Sequence, residues 1–131
     1  MKQYHISSTE DLYDLLQETI NLTMAMGFSK GQSNQITTAV SEIARNQLLH
    51  AKGGEVTINQ LVDAEKKMIE ITLKDQGPGI ADIELAMQDH YSSVGGLGIG
   101  LPGAKRLVDD FKIESQLGVG TKVILRKWIA R

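Results

Sequence analysis

Three groups of residues have types and spacings suited to chemistry. Five glycines fall between Gly95 and Gly103, inside the stretch YSSVGGLGIGLPGAKRL at Tyr91–Leu107. Glycine has no Cβ, so backbone amides can come close to a ligand. A loop that feeds a helix offers unpaired N–H groups and the positive end of the helix dipole, which suits phosphate. The second group is Asp75-Gln76-Gly77-Pro78-Gly79-Ile80, a carboxylate placed just before a turn. The third is Glu42-Ile43-Ala44-Arg45-Asn46. Residues four apart stack on one helix face, so Glu42 and Asn46 can converge on a single ligand, with Thr38 one turn earlier.

Each group also has a plain structural reading. Glycine-rich turns serve geometry alone. Asp, Gly and Pro together are ordinary chemistry for ending a strand. Glu42 and Arg45 suit an exposed polar face with local ion pairing. Lys105 and Arg106 read as exposed.

The elements that must position these residues follow from periodicity. Lys2–Ile6 reads as a short strand. Ser7, Ser8 and Thr9 offer caps for a helix with Glu10 and Asp11 in its first turn. Leu12, Leu15, Leu16, Thr19, Ile20 and Thr23 form its buried stripe, and Gly27 ends it. Met24 and Met26 read as packing residues. A second helix is predicted over about Ser33–His50, its apolar stripe running from Ile36 through Ala39, Val40, Ile43 and Ala44 to Leu48. After Lys52-Gly53-Gly54, Glu55–Leu61 and Lys67–Asp75 alternate as strands around a polar turn at Asp63–Lys66. Ile69, Ile71 and Leu73 share one face, and Asp75 falls on the same side. Such a carboxylate is costly unless hydrogen-bonded.

Ala81–Gln88 reads as a short helix and Asp89–Leu97 as a lid. A helix is predicted from Gly98 or Gly100 to Asp109 or Asp110, with Pro102 tolerated in its first turn. Phe111–Ser115 and Thr121–Trp128 read as a hairpin across Gln116–Gly120. Trp128 lies on the opposite parity from Val123 and Leu125, where it could cover an exposed sheet surface or mark a partner contact; burial at an edge is the expectation.

The 131 residues, 41% of them hydrophobic, suit a single domain over 1–131. The net charge of −2 and the scattered basic pairs argue against nucleic acid as partner. No apolar run is long enough to span a membrane, and the N-terminal residues lack the apolar segment of a signal peptide. Cysteine is absent, which excludes thiolate chemistry and fits a cytoplasmic location.

The ordered set of SEIARN at Ser41–Asn46, KDQGPGI at Lys74–Ile80 and GGLGIGLPGAKRL at Gly95–Leu107 resembles the GHKL ATP-binding superfamily. With the ending FKIESQLGVGTKVILRKW, it looks most like the RsbT-like switch serine/threonine kinases. The resemblance implies an α/β two-layer sandwich of the Bergerat type, a mixed sheet with helices mainly on one face. It implies ATP and Mg²⁺ as cofactors, with Asn46 as metal ligand and Glu42 as general base. Asp75, Gly77, Gly79 and Thr121 would recognise adenine, and Gly95, Gly96, Gly98 and Gly100 would form the phosphate loop. It further implies phosphotransfer to a STAS-domain antagonist and, after release, activation of a PP2C-type phosphatase. Homo-oligomerisation is compatible with it. The neighbouring alternatives are an anti-sigma-factor kinase that binds a sigma factor directly, and a regulatory module that uses nucleotide only to set its conformation. There is no GxxxxGK[ST] loop, so a P-loop site is excluded.

Overall fold

A computed structural model describes residues 1–64, 66–80, 83, 87 and 100–129. The expected phosphate-loop residues Gly95, Gly96 and Gly98, the lid over Asp89–Leu97 and most of the short helix at Ala81–Gln88 lie outside the described residues. In chain order the elements are β1 (Lys2–Ile6), α1 (Thr9–Met26), α2 (Lys30–Ala51), β2 (Gly54–Asp63), β3 (Lys66–Lys74), α3 (Gly100–Arg106), β4 (Asp110–Gln116) and β5 (Gly120–Ile129).

The strands form one sheet in the order β1-β2-β3-β5-β4. Its two-layer plan is the expected one. In one detail it departs from the mixed pairing expected: all four described pairings are antiparallel. The hairpin partner β5 inserts between β3 and β4, so those two strands run the same way without touching. Ile69, Ile71 and Leu73 face the helices as their alternation requires, beside Val56, Ile58, Val123 and Leu125. Leu12 and Leu15 of α1 and Ile36, Ala39, Val40, Ile43 and Ala44 of α2 close the same core.

Local chemistry sets the helix ends. Ser8 caps α1 by accepting from the Asp11 amide, and Gly27 ends it in the left-handed region. The helix α2 begins three residues earlier than expected, because Ser29 and Gln32 form a reciprocal capping box. By contrast, α3 stops at Arg106, short of Asp109. The Asp109 amide donates to Arg126 O (3.0 Å), and Lys127 Nζ donates to Leu107 O (3.3 Å). Those bonds tie residues 107–109 to β5 rather than to another helical turn.

Trp128 is also placed differently from expectation. It lies on β5, an interior strand, opposite Met68 on the helix-free face, and is 37% exposed. Burial at an edge fails because the edge strand on that side is β4. Glu70, Arg126 and Asp110 form an ion-pair chain across the same face, with Arg126 Nε 2.8 Å from Glu70 and Nη1 3.3 Å from Asp110. The Glu70 carboxylate, with Asp110 beside it, holds the Arg126 guanidinium even more firmly protonated than usual. Among the described residues no helix is long and apolar enough to cross a membrane.

Candidate nucleotide site

Where β3 ends, Asp75 turns back on its own loop and on β5. Its Oδ1 accepts from the Gly77 amide (2.9 Å) and the Thr121 amide (3.3 Å), while its own amide donates to Thr121 O (2.9 Å). The inward-facing carboxylate anticipated from the strand parity is therefore hydrogen-bonded, which removes most of its burial cost. Asp75 and Thr121, far apart in sequence, become one unit. They share the wall of an open depression of about 850 Å³ with Lys74, Ser115, Gly120 and Lys122.

The hairpin tip is clamped onto the Asp75–Ile80 loop. Gly118 N donates to Pro78 O (2.9 Å), and Ile80 N donates to Ser115 Oγ (2.7 Å). Gly79 has φ +77°, and a Cβ there would lie 2.4 Å from Gln116 O. Gly120 has φ +146°, and a Cβ there would meet Asp75 O at 2.0 Å. Both positions need glycine because protein backbone passes so near. Gly77 abuts Ala51, whose Cβ would be 2.5 Å from an added one, so the loop also rests on the end of α2.

Glu42 and Asn46 follow one another on α2, as their spacing predicts. Glu42 is 0% exposed, so the exposed-face reading does not hold for it. Arg45 Nε instead reaches Ser41 Oγ at 3.3 Å. Asn46 is half-buried, and its Oδ1 is shut off from solvent with no hydrogen-bond partner among the described residues. A carbonyl oxygen buried in that way is costly by itself and suits a cation or a donor from outside the chain. The residues therefore fit a hard metal ion such as Mg²⁺, whose preferred ligands are oxygens. Gly100 opens α3 with φ +62° and is buried; its helix packs against α2.

Two participants were not singled out from sequence. Ser115 pairs directly with Thr121 across the hairpin, and its Oγ lies 2.9 Å from Thr121 Oγ1. The hairpin register counted outward from Gln116–Gly120 contains that pairing. Gln47 is buried next to Asn46, and neither of its side-chain polar atoms has a partner among the described residues. Its amide packs against Gly54, where a Cβ would come within 2.6 Å of Nε2.

Residues 31–130 match the family described as histidine kinase-, DNA gyrase B- and HSP90-like ATPase. The chain belongs to that family. Within it, the chain is homologous to the RsbT-like kinases. It is 47% identical over 109 residues to the serine/threonine-protein kinase RsbT of Bacillus subtilis (strain 168), covering 83% of this chain and 82% of that one. To an anti-sigma F factor of Clostridium acetobutylicum it is 37% identical over 103 residues, covering 74% and 71%. Among solved structures, the RsbU and RsbW domains of Rv1364c from Mycobacterium tuberculosis superpose with a TM-score of 0.62 at 18% identity, over 97% of this chain and 32% of that one. The mycobacterial sensor histidine kinase MprB gives 0.57 at 18% identity, over 96% and 95%. Those two likenesses bear on the fold, the Bergerat-type sandwich expected. Membership carries a capacity for ATP and Mg²⁺, and kinase activity is consistent with both the family and the RsbT homology.

Proposed function

We propose that the chain is a Mg-ATP-dependent serine/threonine protein kinase whose substrate hydroxyl belongs to a STAS-domain antagonist. Once released, it would bind and activate a PP2C-type phosphatase. The observation that carries the reading is the buried Asn46 Oδ1, without a hydrogen-bond partner among the described residues and one helical turn beyond buried Glu42. The higher identity to a serine/threonine kinase than to an anti-sigma F factor supports a kinase that switches partners.

In this reading Asp75 and Thr121 hold the adenine edge, with Gly77 and Gly79 shaping the loop around the base. Gly95, Gly96, Gly98 and Gly100 supply amides to the phosphates. Asn46 holds Mg²⁺ through its carbonyl oxygen; the ion, when bound, offsets the charge of the triphosphate. Glu42 takes the proton of the attacking hydroxyl as its oxygen bonds to the γ-phosphorus and ADP leaves. Positioning supplies most of the rate in such a transfer, so the rigid attachment of loop to hairpin and α2 matters as much as the base.

The test is incubation with γ-labelled ATP, Mg²⁺ and STAS-domain proteins of the same organism, beside Asn46→Ala and Glu42→Ala. Labelling of one partner is expected, with a loss of at least about a hundredfold in each variant and nucleotide binding retained in Glu42→Ala. Unchanged transfer in Glu42→Ala removes that residue from the role of base. Tight nucleotide-dependent sigma-factor binding without labelling would favour direct sigma-factor control, which the anti-sigma F likeness also supports.

A further inference from the structure

Ser115 has one proton and three polar neighbours. Ile80 N donates to its Oγ (2.7 Å), Gly120 O lies 3.2 Å away, and Thr121 Oγ1 lies 2.9 Å away. A carbonyl oxygen only accepts, and a hydroxyl offers one donor and two lone pairs. One assignment satisfies all three contacts: Ser115 donates to Gly120 O and accepts from both Ile80 N and Thr121 Oγ1. The reverse, with Ser115 donating to Thr121, would leave two acceptor oxygens facing each other at 3.2 Å. The Thr121 proton is therefore spent on Ser115, and the Thr121 lone pairs are left for the depression that Asp75 shares.

We infer that Ser115 is a positioning residue for base selectivity, fixing Thr121 as a hydrogen-bond acceptor so that the site prefers a 6-amino purine over a 6-oxo purine. The inference rests on the proposed adenine reading of Asp75 and Thr121. Asp75 Oδ1 is already committed to two amides, so its contribution to the base comes from the other oxygen, also an acceptor. Two acceptors select a donor edge. A 6-oxo group would face lone pairs from Thr121, an unpaired polar contact of the kind that makes hydrogen-bonding sites selective. Removing Ser115 frees the Thr121 hydroxyl to turn and donate to that oxygen.

The experiment measures affinity for ATP and for ITP, each with Mg²⁺, by titration calorimetry on the wild type, Ser115→Ala, Ser115→Thr and Gly79→Ala. The ratio of the two affinities cancels any difference in folded fraction. The wild type prefers ATP. Ser115→Ala lowers that preference by about fivefold, the worth of one neutral hydrogen bond, and Ser115→Thr, which keeps the hydroxyl, retains it. Gly79→Ala strains the same loop while keeping both side-chain hydroxyls, and weakens both nucleotides together. Should the alanine variant unfold, Ser115→Cys gives the same test with a weak donor of similar volume. A wild-type preference that survives undiminished in Ser115→Ala overturns the inference alone. A wild type with no preference overturns it together with the adenine reading.

Discussion

Replacing Asn46 by leucine should separate stability from function. Asn46 Oδ1 is buried with no partner among the described residues. A buried acceptor left unpaired costs about 1–3 kcal/mol, whereas an apolar side chain of similar size has no such penalty. The residue as a whole is half-buried, so the lower end of that range applies. Asn46→Leu should therefore stabilise the nucleotide-free chain by about 1 kcal/mol, or raise Tm by about 3–5 °C at this length. The assay is thermal unfolding followed by circular dichroism, first in EDTA and then with Mg²⁺ and ATP. At a ligand concentration of a hundred times Kd, the wild type gains about 2.7 kcal/mol. The variant should lose the Mg²⁺-dependent part of that gain, so the order of the two proteins reverses between the conditions. A variant less stable than wild type in EDTA refutes the reasoning, because the oxygen would then have a partner in the free chain. A more stable variant with an intact Mg²⁺ response refutes the metal role.

Gly79→Ala should cost about 3–4 kcal/mol: about 1–2 for the left-handed backbone, plus about 1 for each clamp bond strained as a Cβ meets Gln116 O. Gly118→Ala, also left-handed but facing open space, should cost only about 1 kcal/mol; equal urea midpoints for the two variants would contradict the clamp. Asp11 offers a pH prediction, since the Ser7 amide and hydroxyl, both donating to Oδ2, hold its carboxyl below the usual aspartate value. A depressed folded value contributes stability above the unfolded pKa and loses it as pH falls through the folded one. Asp11→Ala should therefore lower Tm at neutral pH, with the gap narrowing in acid, and a gap independent of pH would show that the ionised form matters little.

Much of the framework was legible in the chain because it rests on local rules. Periodicity fixed the buried stripes of α1 and α2 and the inward faces of β3 and β5, and cap chemistry marked Ser8 and Gly27. The spacing of Glu42 and Asn46 placed them on successive turns without further information. Where an end depended on distant partners, local reading stopped short: α3 ends early because β5 takes the groups at residues 107–109, and Trp128 is partly exposed because it stands on the helix-free face of β5, which the strand order makes interior rather than an edge. The burial of Glu42, the orphaned oxygen of Asn46 and the joining of Asp75 to Thr121 are tertiary facts. Each depends on which surfaces meet, and no periodicity within one segment encodes that. The same holds for glycine: sequence marked Gly77 and Gly79 as a turn, but only the fold shows that Ala51 and Gln116 leave no room for a Cβ. The sequence by itself determined the elements and the residue types available for chemistry; tertiary packing decided which polar atoms lost their water, and with it where a ligand is needed.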